Sequence, residues 1–180
     1  MTDALAPHPP TELPPVDTLA GDAFWADYAA AHPDAVALCG EYTVERFGDS
    51  PTLSDALLRE VTHGAKRATA ELASEFAARG DALPRVGSHW VACDGAGHPR
   101  VILRSIELRL GTFGSVDAAF AWDEGEDDRS LESWRREHRK YWIRTCAARG
   151  AQWSEDEEIV LERFQVVWPP ELADRSTHDA

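Results

Sequence analysis

The sequence predicts an α+β fold, a small and strongly bent or closed β-barrel with helices at its edges. Residues 88–93, 100–110 and 158–168 carry strand patterning and are read as antiparallel strands without helical crossovers. Segments of helical spacing flank them on both sides. So few antiparallel strands are best protected by curling toward closure.

Residues 1–18 hold Pro7, Pro9, Pro10, Pro14 and Pro15 with little apolar content, and read as a disordered Pro-rich tail. Residues 19–44 read as an N-terminal helical extension. From Gly21 onward Phe24, Trp25, Tyr28 and Ala29 recur at helical spacing, and Pro33 ends the run. The main domain is placed at 45–170. Its first helix begins at Asp49-Ser50-Pro51, a capping residue before a first-turn proline. Leu53, Leu57 and Val61 share one face, and Gly64 is expected to stop the helix in a left-handed cap.

After Gly64 two readings stand, a short strand over 68–72 or a helix over 71–78 broken by Gly80. Val86-Gly87 signals a turn, and Asp94-Gly95-Ala96-Gly97 a hairpin loop between the strands at 88–93 and 100–110. In the second strand Ile102, Arg104, Ile106, Leu108 and Leu110 form the more apolar set and are assigned to the core. Ser115-Val116-Asp117 caps a short helix to Trp122, and a hydrophilic loop covers 123–129. Ser130 caps a long helix carrying an aromatic stripe of Trp134, His138, Tyr141, Trp142 and Thr145. After the strand at 158–168, Pro169-Pro170 closes the domain, and 171–180 is a polar tail.

A chain of 180 residues fits one domain with tails. No run approaches the ~18 apolar residues of a membrane span, and the N-terminus lacks the basic and apolar regions of a secretory signal. Cys39, Cys93 and Cys146 are widely spaced and odd in number, which argues against a disulfide framework. The expectation is a cytoplasmic protein with no membrane partner. The histidines form no ligand spacing, so neither a metal site nor a cofactor is expected. A net charge of −14 disfavours a general nucleic-acid coat. Between Arg59 and Gly114, however, eight basic residues face six acids, a local +2 against −16 elsewhere. That segment is either a basic face or a set of scattered solvated arginines.

Within it, Gly64-Ala65-Lys66-Arg67-Ala68-Thr69 brings a lysine close to a hydroxyl. Such a pair can bind an anion, or the lysine can activate the hydroxyl as a nucleophile. Residues i and i+3 point to opposite sides of a regular strand, so Lys66 and Thr69 can cooperate only in a turn or at a strand's entry.

Phe47-Gly48-Asp49-Ser50, the Gly64–Thr69 element, Leu83-Pro84-Arg85-Val86-Gly87, residues 124–134 (Glu-Gly-Glu-Asp-Asp-Arg-Ser-Leu-Glu-Ser-Trp) and Glu162-Arg163-Phe164 occur in order and at suitable gaps. In this the chain resembles bacterial stand-alone ASCH proteins of the PUA-like superfamily, from about Glu45 to Trp168. The resemblance implies a PUA-like barrel with helices around a cleft and the Gly-x-Lys element at that cleft. Relatives include nucleic-acid binders, ribonucleases and small amidohydrolases that remove the acetyl group of N4-acetylcytidine. In those amidohydrolases a lysine, a threonine three residues on and a distal glutamate act together. Lys66 and Thr69 keep the spacing. Glu126 is the preferred acid, Glu124 the second, and Asp127 the choice if the loop aligns one residue later. Ala65 departs from the family's frequent basic residue, which weakens anion binding.

Two functions follow as expectations. In the first, Thr69 attacks the acyl carbonyl of an acylated nucleoside. Lys66 acts as base if burial lowers its pKa, and Glu126 serves the leaving amine. In the second, the protein is a module for short RNA, with or without ribonuclease activity. Lys66, Arg67, Arg85 and Arg163 then meet phosphate, Trp134 or Trp90 stacks on a base, and Ser130 offers a helix N-terminus to an anion.

Overall fold

The computed structural model describes residues 13–175. Five strands form one sheet in the order β1-β3-β4-β5-β2: β1 Tyr42–Arg46, β2 Ala68–Leu72, β3 His89–Cys93, β4 Pro99–Gly111 and β5 Ile159–Trp168. The helices are α1 Thr18–Ala31, α2 Pro33–Leu38, α3 Pro51–Thr62, α4 Ala73–Arg79, α5 Ala118–Glu124 and α6 Leu131–Ala148. The sheet curls into a half-barrel, with β1 and β2 as its two edges. Register shifts in β3–β4 and twice in β4–β5 mark where the ladder is interrupted, and such bulges bend a strand and increase its twist.

β4 and β5 pair antiparallel along nearly their whole length and carry the architecture. β1 was not legible as a strand, and its pairing with β3 is parallel. This corrects the expectation of an antiparallel sheet without crossovers: α3, β2 and α4 lie between the two partners in the chain. A parallel pair needs a connection of at least a dozen residues. The intervening segment also places β2 antiparallel to β5 at the opposite edge. Both readings of 68–79 are realised in succession, since β2 runs directly into α4, which ends at a left-handed Gly80.

Three cores divide the structure. Inside the half-barrel Leu58 and Val61 of α3 meet Phe47, Ala92, Val101, Leu103, Phe164 and Val166. Between β2/β5 and the helices α5 and α6 lie Phe120, Trp134, Trp142, Cys146, Ile159 and Leu161. On the outer face of the sheet, Trp25 and Tyr28 of α1 cover Val91 and Ile102. Trp25 stacks on Tyr42 with ring centroids 4.4 Å apart. Gly21 permits this docking, because a Cβ there would sit 2.6 Å from Val44 Cγ1.

Ser50 caps α3 as expected, accepting from Leu53 N at 3.3 Å, with Pro51 in the first turn. Two local expectations change. α3 ends at Thr62 with His63 as its C-cap, and Gly64 is not left-handed. Glycine fits there because a Cβ would collide with Glu60 of the preceding turn. In β4, Val101, Ile102, Leu103 and Ser105 are buried, whereas Ile106 and Leu110 are exposed. The strand's first half is covered on both faces, and the bulge between Ser105 and Glu107 breaks the simple alternation. Of the predicted tails, 1–12 and 176–180 lie outside the described residues. At the inner ends of those tails, Asp17 N–H donates to the Gly97 carbonyl at 2.9 Å and Asp174 accepts from Val166 N–H at 2.9 Å.

Candidate functional site

Lys66 follows α3 and precedes β2, so it stands at the strand's entry and Thr69 in the strand itself. The geometric condition set by their spacing is therefore met, and both line one cleft of about 350 Å³. Glu124 and Glu126 line the same cleft, together with His138, Tyr141 and Arg144 of α6 and the apolar Phe47, Leu53 and Leu57. Asp127 is not among the lining residues; it is exposed and accepts from Ser133 Oγ at 3.0 Å.

The loop that delivers the acids is tightly held. Gly125 is left-handed at φ 70° and lies against the Ala65–Lys66 backbone. Arg67 N–H donates to the Asp123 carbonyl at 2.7 Å, which ties the two segments together. Asp127 and Arg129 are also left-handed, at φ 48° and 62°. Outside glycine such conformations are uncommon and carry strain. Here they are fixed by Ser130 N–H donating to Asp128 Oδ1 at 2.9 Å and by the Arg129 guanidinium, 3.8 Å over the Trp122 ring. The hydrophilic run 123–129 is thus a shaped loop.

Lys66 is only 1% exposed, and its Nζ donates to Glu126 Oε1 at 2.5 Å. Burial alone would lower the lysine's pKa, but Glu126, Glu124 and Glu60 together outweigh it and the pKa is raised. The condition for Lys66 to act as a resting base is therefore not met: it is an ammonium. Burial opposes ionisation of Glu126, yet Lys66 and His138 hold its carboxyl below the usual range. Glu124 is fully buried, which pushes its carboxyl up against the pull of His138 and Lys66. Its Oε2 accepts from the Trp134 indole N–H and lies 3.2 Å from His138 Nε2.

The five residues expected to bind substrate are not brought to this cleft. Arg67 forks onto Asp174, with Nη2–Oδ1 at 2.7 Å and Nε–Oδ2 at 2.9 Å. Arg85 pairs with Glu41 on the surface. Arg163 is shared between Asp123 at 2.8 Å and Glu107 at 2.6 Å. Ser130 caps α6, accepting from Ser133 N at 3.1 Å, and Trp134 is a core residue. Within the +2 segment, Arg67 and Arg85 are answered by acids from elsewhere in the chain, and Arg79 and Arg100 by acids of the segment itself. Conversely, His138 and the apolar walls Leu53 and Leu57 were legible only as helix-face residues. Nothing in their spacing separates a cleft wall from a core.

The cleft opens onto a groove of about 970 Å³ along the seam between β1 and β2, lined by Thr43, Glu45, Thr69, Glu71 and Trp90 among others. Burial pushes the Glu71 carboxyl up to about 7 against the hydrogen bond from Arg79, and Glu45 and Glu75 add to the rise. A carboxyl raised on folding favours the folded state while protonated, so its contribution is present at acid pH and lost as pH rises through about 7. Glu71→Gln, which cannot ionise, should gain stability relative to wild type between about pH 5 and about pH 8. Melting temperatures at the two pH values check this, and an unchanged difference between the proteins would contradict it.

The match to a family model for the ASCH domain covers residues 43–168. The chain is similar in structure to an ASCH domain from Lactobacillus crispatus JV V101, with a TM-score of 0.76 and 26% identity over 84% of this chain and 96% of that one. It is also similar to a protein from Enterococcus faecalis V583, with a TM-score of 0.70 and 25% identity over 83% and 89% of the two chains. No curated protein matches the sequence.

Proposed function

This chain belongs to the ASCH domain family, with its PUA-like fold, and on that premise we propose that the Lys66 cleft binds a nucleoside and hydrolyses an acyl amide on it, with N4-acetylcytidine as the substrate to test. The observation that carries the reading is the convergence of Lys66, Thr69 and Glu126 on one cleft, with the lysine and glutamate already 2.5 Å apart. A volume of about 350 Å³ lies at the small end of ligand pockets, which run from ~300 to ~1,000 Å³. Its apolar walls suit a base ring, and its floor holds the polar groups.

The raised pKa of Lys66 changes the roles expected from the sequence. As Thr69 Oγ1 bonds to the acyl carbon, Lys66 takes the hydroxyl proton while handing one of its own to Glu126. It thus remains an ammonium facing the oxyanion. The C–N bond then breaks, and Glu126 returns the proton to the leaving amine. Water hydrolyses the acyl-threonine to free acid and regenerates the hydroxyl.

The polyanion reading draws less support. Arg67, Arg85 and Arg163 are each answered by acids, and the chain carries −14 overall. Purified protein incubated with N4-acetylcytidine should release cytidine, and Thr69→Val should abolish the release. If wild type binds cytidine but frees none from the acetylated substrate, the hydrolytic reading fails and a binding module remains. If short RNA binds with steep salt dependence and cytidine does not bind, the RNA reading replaces both.

A further inference from the structure

His138 contributes two contacts that together constrain one proton. Its Nδ1 lies 3.0 Å from the Trp134 carbonyl oxygen, one turn back on α6. A carbonyl can only accept, so Nδ1 carries a hydrogen. Its Nε2 lies 3.2 Å from Glu124 Oε2, an oxygen that already accepts from the Trp134 indole. Two bare lone pairs facing each other there would repel, so the Nε2–Oε2 line holds a proton on one side or the other. The ring cannot turn away from this task easily: it stacks on Trp134 at 4.1 Å and 16° and meets Trp142 edge-on at 5.1 Å.

We infer that His138 and Glu124 hold one proton between them at the floor of the cleft, and that His138 is a positioning residue that keeps Glu124 beside Lys66. The inference about reaction rate rests on the hydrolytic reading above; the proton pair itself does not. Four groups meet here: Lys66 from the α3–β2 connection, Glu124 from the end of α5, Glu126 from the loop and His138 from α6. With one proton on each pair, the cluster is two acids against two bases and is neutral in total. That balance lets a lysine remain charged while 1% exposed. When the shared proton sits on His138, Glu124 is one of the carboxylates that favour the charged lysine. A carboxylate released from His138 would be free to swing or to protonate, and Lys66 would lose part of its field.

Nitrogen-15 spectra of histidine-labelled protein test the pair directly, with His138 assigned by the signal lost in His138→Gln. Protons are expected both on Nδ1 and on the Nε2–Glu124 line, and a bare Nδ1, or a bare Nε2 facing an ionised Glu124, overturns the proposal. The positioning role is read at the Lys66 ammonium resonance. It should shift in both His138→Gln and Glu124→Gln while the rest of the spectrum keeps its dispersion; an unmoved resonance in both variants overturns that role. In turnover of N4-acetylcytidine, His138→Gln should lower kcat by about 10-fold to 100-fold, with KM within about twofold of wild type. If wild type proves inactive, the hydrolytic reading fails, while the spectra still decide whether the pair exists. If wild type is active and His138→Gln matches it, the link from the pair to catalysis fails.

Discussion

Lys66→Met is expected to reduce cytidine release from N4-acetylcytidine by about 10³-fold, because it removes the buried cation proposed to face the developing oxyanion. Methionine keeps the length and volume of the side chain, so the contact with the Phe47 ring, 5.6 Å from Nζ, can be refilled. What it leaves is Glu126 without a counter-charge. Breaking a buried pair by deleting one partner costs about 3–5 kcal/mol when the survivor stays dry. Glu126 is 31% exposed and can recover some hydration, so a loss of about 2 kcal/mol is expected instead. The pH dependence has a definite sign. Glu126 is held below the usual carboxylate range when folded, so the pair stabilises above that range and its contribution fades as pH falls through the folded pKa. Wild type and Lys66→Met should therefore converge in melting temperature on acidification. The double variant with Glu126→Gln should regain stability near neutral pH and remain inactive. Activity retained by Lys66→Met would remove the lysine from the mechanism.

Gly125→Ala should be the most damaging single-methyl change at the site. The added Cβ would lie 2.6 Å from Lys66 N, 2.7 Å from the Ala65 carbonyl carbon and 2.8 Å from Lys66 Cα, all backbone atoms that cannot rotate aside. The residue also sits at φ 70°, where any side chain is strained. Overpacking and left-handed strain together point to a loss of about 3 kcal/mol. The relief available is for the 124–126 loop to lift from Lys66, which would separate Lys66 from Glu126. Chemical denaturation and the N4-acetylcytidine assay should thus fall together. Gly114→Ala is the control, since a Cβ there meets nothing within 4 Å. Equal stability of the two variants would show that the loop is not clamped as described.

Helices and long strands were legible because each declares itself locally. Ser50-Pro51 and Ser130 cap where the pattern places them, and β5 is a ten-residue run rich in aliphatic and aromatic side chains. β1 was missed because its five residues carry only one aliphatic side chain, and its partner in the sheet lies past α3, β2 and α4. The core side of β4 was misassigned beyond Ser105 because a bulge, invisible to a period-two count, resets the register. At the site, the Lys66–Thr69 spacing and the acidic loop were readable from the family pattern, and the ambiguity between Glu124 and Glu126 resolves into both lining the cleft. Arg67, Arg85 and Arg163 stand away from the cleft for a simple reason. A local charge count records which cations are near in sequence, whereas Asp174, Glu41 and Asp123 reach Arg67, Arg85 and Arg163 from distant segments.

The unclosed seam between β1 and β2 also bears on how the chain meets other chains. An exposed sheet edge invites a strand from another molecule. Here both raw edges turn toward the same groove, and Glu45 on one and Glu71 on the other line it. A visiting strand would have to enter between them and bring its backbone past carboxylates. The opening is thereby a poor template for a second chain. The fold keeps its barrel open without exposing a sticky border.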